Sequence, residues 1–272
     1  MFTNTNLKFP HGAMLTSTML REIYNYPREF FTLLYKNYGD GIICGLDYFI
    51  QDKNLFLNSG VIHFDGDFYF LSQDLNMSAL AEKNNLETDK QYYICLSRLS
   101  NVQEACLTEN TLAVTFSETK ISPVLGRFYF SKYDNFNLPK LAKGSKPFKD
   151  IFKPSVLNLA DVPFAIKNGD TFHPMLFRLV KEFLTGKEDK TPFDYAILTQ
   201  LQNDDVISTQ TINSYIAEEV DGKSKFADRA DLFKTFCDCL VNSKFSLPVL
   251  NAEEIDDTPK TKEVYSGCGR ML

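Results

Sequence analysis

The sequence predicts a mixed α+β protein: an N-terminal helical hairpin, an antiparallel β-sandwich or open barrel, and a C-terminal helical bundle. Three observations carry this expectation. From Gly41 to about Phe130, short runs rich in β-branched and aromatic residues are separated by turn residues. Beyond Asp170, apolar residues recur at helical spacing behind start signals. Ahead of both, Met19, Leu20 and Ile23 share one helical face, and Phe30, Phe31, Leu34, Tyr35 and Tyr38 continue that spacing past Pro27.

Taken in order, the first ten residues are polar with isolated aromatics and read as an extended arm that needs a partner surface to order it. Thr16 or Ser17 can cap the helix that follows, Pro27 restarts it in a new direction, and Gly39 stands where a C-terminal glycine cap belongs. The stretch 39–71 then reads as a meander. Its strands are expected over 42–50, over 55–57 behind the turn Gln51-Asp52-Lys53-Asn54, and over 61–64 and 68–71 on either side of Asp65-Gly66. Asp-Gly between β-prone runs is a strong hairpin signal, because both central turn residues need positive φ. A polar connection over 72–90 includes a helical turn around 79–83, and strands resume over 91–99, 103–107, 112–116 and 124–130.

The stretch 132–163 carries prolines and lysines with few periodic apolar residues, and it is expected to run over the surface. Helical signals follow: Asp170 or Thr171 as cap, Pro174 in the first turn and Gly186 as stop, then Thr191-Pro192-Phe193-Asp194 opening a second helix. Ser208 opens a third, and 228–241 makes a fourth around Leu232, Phe233, Phe236 and Leu240. The resulting division is an arm and hairpin over 1–38, a β domain over 39–131, a linker over 132–169, a helical domain over 170–247 and a tail over 248–272, with the acidic start of the tail too polar to bury much surface.

Composition narrows the function classes. At 272 residues the chain can bury a core without disulfide or metal staples. A formal charge of −6 argues against nucleic-acid binding, which rests mainly on phosphate neutralisation. The 24 Phe and 13 Tyr suit sheets and packed interfaces. Six scattered cysteines fit a reduced intracellular state, and the expectation is a chain with neither a standard secretion signal nor a membrane span.

Candidate chemistry is thin. Gly222-Lys223-Ser224 supplies the end of a phosphate-binding GxxxxGK[ST] loop, but Ala217 stands where the first glycine is required and the preceding run is helical, so an inter-helix turn is expected. Cys237 and Cys239 point to different sides of a helix and do not converge on one metal ion; Cys237 is expected in the core and Cys239 exposed or at an interface. His63, Asp65 and Asp67 could serve acid/base chemistry, yet hairpin geometry explains them better. Lysines 132, 140, 143, 146, 149 and 153, interleaved with Tyr133, Phe136, Phe148 and Phe152, suit a solvated linker or a protein contact. The expectation is therefore no catalytic, cofactor-binding or metal-binding residues, and no cofactor.

The run from Met19 to Leu71 carries Tyr26-Pro27 in a helical lead-in, the motif DGIIxGL at 40–46 and GxxxxDGxxYxL at 60–71. These features resemble a family of structural proteins encoded with contractile phage tails and phage-tail-like particles of Gram-positive bacteria. The resemblance covers about the first quarter of the chain. It implies a non-enzymatic structural component near the baseplate or the fibre attachment, with other tail or baseplate proteins as partners in a symmetric assembly. It also implies a path from the bacterial cytoplasm into the finished particle. A receptor- or glycan-binding module of a tail fibre is the alternative.

Overall fold

The computed structural model describes residues 12, 14–99, 102–104, 107–109, 111–131, 136–219, 226 and 228–242. Helix α1 (Ser17–Leu34) begins behind Thr16, whose Oγ1 accepts the Met19 N–H at 3.2 Å. It runs unbroken through Pro27, so the expected helical hairpin is corrected to a single helix. Proline deletes one backbone bond, but the residues on both sides of it stay helical, so the chain does not reverse there. The helix ends at Tyr35 rather than Gly39, because Tyr38 already forms a bridge to Lys167.

Strands β1 (Gly41–Gly45), β2 (Tyr48–Gln51), β3 (Asn54–Leu57), β4 (Gly60–Phe64) and β5 (Asp67–Leu71) follow. The single strand expected over 42–50 is broken at Leu46, whose φ of 57° turns the chain out of the sheet. The meander is thereby divided. β1, β4 and β5 lie in one sheet, while β2 and β3 join β6 (Leu75–Asn76) in another. Both expected tight turns form with positive φ, Asp52-Lys53 at 51° and 67° and Asp65-Gly66 at 52° and 80°. Gly45 and Gly60 face each other across the β1–β4 ladder. A Cβ on Gly45 would lie 2.2 Å from the Ser59 carbonyl oxygen and one on Gly60 2.6 Å from that of Cys44, so the glycines of both quoted motifs allow backbone to approach backbone.

After helix α2 (Met77–Lys83) come β7 (Lys90–Arg98), β8 (Val102–Glu104), β9 (Leu107–Glu109), β10 (Leu112–Ser117) and β11 (Val124–Phe130). β7 is central to the sheet β10-β7-β11, and β8 and β9 form their own hairpin. The buried Tyr48 hydroxyl donates to the Leu125 carbonyl at 3.0 Å, tying β2 to β11.

The surface course expected over 132–163 is corrected. Phe148, Ile151, Val156, Leu157 and Leu159 are all buried, while the neighbouring lysines are exposed. Asn158 exchanges two backbone bonds with Arg127 on β11. Strand β12 (Phe164–Ile166) then pairs parallel to β1, with Ile42 opposite Phe164, and β13 (Gly169–Thr171) completes the order β13-β12-β1-β4-β5. The β region is therefore open sheets in which β1 and β12 pair in parallel, not purely antiparallel.

Helices α3 (Pro174–Gly186), α4 (Pro192–Asn203), α5 (Thr209–Glu219) and α6 (Arg229–Asn242) complete the described chain. Thr191 and Asp194 form the expected capping box. Asp170 and Thr171 do not cap α3, because β13 holds them extended against β12; His173 takes that position ahead of Pro174. Arg229 at the start of α6 pairs with Asp170, donates to the Thr171 carbonyl at 2.7 Å and lies over the Phe172 ring, fixing the helices to the β12–β13 hairpin. The first eleven residues, the turn expected at Gly222-Lys223-Ser224 and the tail over 248–272 lie outside the described residues.

Candidate assembly interface

The structure separates the acid/base candidates instead of gathering them. His63 Nδ1 lies 3.1 Å from the Gly39 carbonyl and 3.3 Å from Asp40 Oδ1, with its ring against Phe68. Asp65, in the turn, pairs with Arg98 on β7 at 2.5 Å, and Asp67 stands opposite Phe64 in the hairpin register. His63 and Asp65 thus have separate partners. Among the described residues no group of three His, Cys, Asp or Glu side chains could hold a metal ion.

Both Cys237 and Cys239 are buried. The expectation that Cys239 is exposed is corrected: it lies seven residues after Leu232 and three after Phe236, which keeps it on the buried stripe of α6. Burial pushes the Cys237 thiol well above its ordinary range, leaving it unreactive. The described aromatics of the lysine-rich segment, Phe136, Phe148 and Phe152, also face inward. Phe148 packs edge-on to Phe183, Phe152 packs against Phe233 and Phe136 against Phe128, so they are core and not interface anchors.

His173 is a buried titratable group that sequence reasoning missed. Its Nδ1 accepts the Met175 N–H at 3.2 Å, and its Nε2 lies 3.3 Å from the Leu46 carbonyl oxygen. This network fixes the neutral tautomer with the proton on Nε2, donated to Leu46. The ring thus joins α3 to the corner between β1 and β2. Burial lowers its pKa, with Asp47 acting the other way and Arg178 reinforcing the shift. The unfolded chain takes up a proton near the ordinary value of 6.5, which the folded chain resists. Stability is complete above that value and falls as pH drops below it toward the depressed folded value. His173→Asn keeps a capping acceptor and removes the titration. Urea midpoints measured on both proteins across pH 7.5 to 5.5, a window of about one unit on either side of the ordinary histidine value, should show a steeper decline for the histidine form. Equal slopes would mean the ring is solvated.

What remains exposed is α1. No residue of this helix is buried. Leu33 is 72% exposed, Phe30 56%, Leu34 54% and Leu20 52%, with Ile23, Tyr24 and Tyr26 exposed beside them. Phe31 anchors the C-terminal end to β5, its ring 5.2 Å from Phe68 and 5.8 Å from Phe70. Phe70 is itself exposed, so the apolar surface continues from the helix onto the sheet. A contiguous apolar face of this kind marks an interaction site rather than a monomer's ordinary surface. No helix among the described residues is long and apolar enough to cross a membrane.

An apolar cavity of about 70 Å³ lies between the two larger sheets, lined by Leu46, Ile62, Tyr69, Leu96, Leu112 and Leu125 among others. It offers no cluster of polar groups to orient a ligand.

No family model matches the chain, and no curated protein matches it. Among solved structures, a chain from the type VI secretion system TssK-TssF-TssG baseplate subcomplex, determined by cryo-electron microscopy, is similar over 89% of this chain and 98% of its own, at 10% identity and a TM-score of 0.27. A superposition that shallow does not establish a common fold.

Proposed function

We propose that this protein is a non-enzymatic structural subunit of a contractile phage tail or tail-like particle, placed at the baseplate or where fibres attach. The class of particle comes from the resemblance of the motifs between Met19 and Leu71. The observation that carries the assembly role is α1, a half-apolar helix whose apolar face its own fold leaves uncovered. A helix of 18 residues with a proline inside it is poorly supported in water by propensity alone, so a covering partner supplies stability that the chain's own body does not. The separate pairing of His63 with Asp40 and of Asp65 with Arg98 supports a non-catalytic role for this hairpin.

The test is mass spectrometry of purified particles from a strain that encodes the chain. The expected result is a constant ratio of this chain to the tube and sheath proteins, well below one. Its absence from intact particles overturns the reading.

A further inference from the structure

The apolar face of α1 is built on an internal repeat. Residues 20–26 read Leu-Arg-Glu-Ile-Tyr-Asn-Tyr, residues 27–33 read Pro-Arg-Glu-Phe-Phe-Thr-Leu, and Leu34 begins a third unit. In heptad terms Leu20, Pro27 and Leu34 hold the a positions, and Ile23 and Phe30 the d positions. The g positions, Met19, Tyr26 and Leu33, are apolar as well, and so are the e positions, of which Tyr24 is exposed while Phe31 packs on β5 of its own chain. At about 100° per residue this stripe covers roughly half of the helix circumference. A two-helix seam uses a and d alone; a stripe this wide faces more than one neighbour.

The charges at the edges of the stripe define the neighbour. Arg21 and Arg28, both at b, border the e flank, and Arg28 folds onto it: its Nη1 donates to the Tyr24 hydroxyl at 2.6 Å, with the guanidinium 5.4 Å from the ring centre. Glu22 and Glu29, both at c, border the g flank. One edge of the helix is therefore basic and the other acidic. In parallel copies related by a rotation axis, the e flank of each helix meets the g flank of the next, which sets arginines beside glutamates. Antiparallel copies would set arginine against arginine and glutamate against glutamate. The width of the stripe sets the number of copies, since a two-helix seam leaves its g and e edges uncovered. Half the surface of a helix about 27 Å long is roughly 500 Å², so three helices bury about 1,500 Å² in total, shared among three contacts.

We infer that α1 assembles with the α1 helices of two further copies of this chain into a parallel three-helix bundle on a rotation axis. The bundle covers the freed edge at Pro27 and fixes the bodies of the subunits at one end, since Phe31 attaches each helix to its own β5 near its C-terminus. The inference deepens the assembly reading and rests on it, but the two fail separately. Trimers in solution with no chain in particles would overturn the structural role alone; a chain present in particles but monomeric in solution would overturn the bundle alone.

The experiment uses the full chain and light scattering at increasing concentration, with Leu20→Cys oxidised and its linked peptides identified by mass spectrometry. The expected results are a mass of three chains and a disulfide joining two copies of the substituted position 20. Antiparallel pairing sets a positions against d positions and would instead link position 20 to position 30 in the Leu20→Cys, Phe30→Cys double variant, and it overturns the proposal. So does a monomer at every concentration, or capture of α1 solely by a different protein. Phe30→Glu replaces a side chain that is more than half exposed, so it should reduce the mass to one chain while leaving the urea midpoint of the body in place. An unchanged trimer would overturn the inference.

Discussion

Lys187→Met is expected to lower the free energy of unfolding by about 3–5 kcal/mol, the cost of removing one partner from a buried ion pair. Lys187 Nζ lies 2.7 Å from Asp194 Oδ2 and 3.0 Å from the Leu240 carbonyl oxygen, so one ammonium joins the start of α4 to the end of α6. The Asp194 side chain is fully buried and that of Lys187 is 14% exposed. The carboxylate already serves the capping box: its Oδ2 accepts the Thr191 N–H at 2.8 Å, while Asp194 donates its own N–H to Thr191 Oγ1 at 3.1 Å. Its Oδ1 is buried with no hydrogen-bond partner. Without the lysine, a full negative charge stays in the interior with one backbone donor to stabilise it. Adding Asp194→Asn to Lys187→Met removes the charge and keeps the capping acceptor, and it should restore a large part of the loss. Urea unfolding with an unchanged m value checks both variants. A loss below about 1 kcal/mol would mean water reaches the pair and that it behaves as a surface contact.

The capping box at Thr191 and Asp194 was legible in the sequence because every part of it lies within four consecutive residues. The same holds for the Asp65-Gly66 hairpin and for β11, whose bounds match the expected strand. Pairings that span long stretches of chain were not legible. β12 is three residues long, and its partner β1 begins more than a hundred positions earlier, so neither alternation nor length distinguishes Phe164–Ile166 from a loop. The segment before it misleads for another reason: its lysines and prolines stay at the surface while Phe148, Ile151 and Leu157 turn inward at irregular spacing. His173 was missed because histidine is not a usual capping residue, and its position follows from β13 occupying the two residues expected to cap. In α1 the apolar face was legible, but taking Pro27 as a turn concealed that Arg-Glu recurs at the same heptad places on both sides of it.

Phe233→Ala is expected to cost about 3–5 kcal/mol as well, here as a cavity in the core. The ring is fully buried on α6, 5.0 Å from Phe172, 6.2 Å from Phe177 and from Phe236, and 6.4 Å from Phe152. Those neighbours come from the chain just after β13, from α3, from α6 itself and from the lysine-rich segment before β12. Removing the ring therefore withdraws support from elements that are far apart in sequence, and collapse of one of them cannot fill the space. If residues 146–153 were a linker, the loss would stay within the helices, and amide exchange around Phe148 and Ile151 would be unchanged. Because Phe152 rests on Phe233, exchange there should instead rise together with that of α3. Phe70→Ala supplies the contrast: that side chain is 63% exposed on β5, and its loss should move stability by no more than about 0.5 kcal/mol. A large cost at Phe70 in the isolated chain would mean that the end of α1 is held to the body far more firmly than its exposure indicates. α1 would then be part of the folded core, and its apolar face would have less need of a partner.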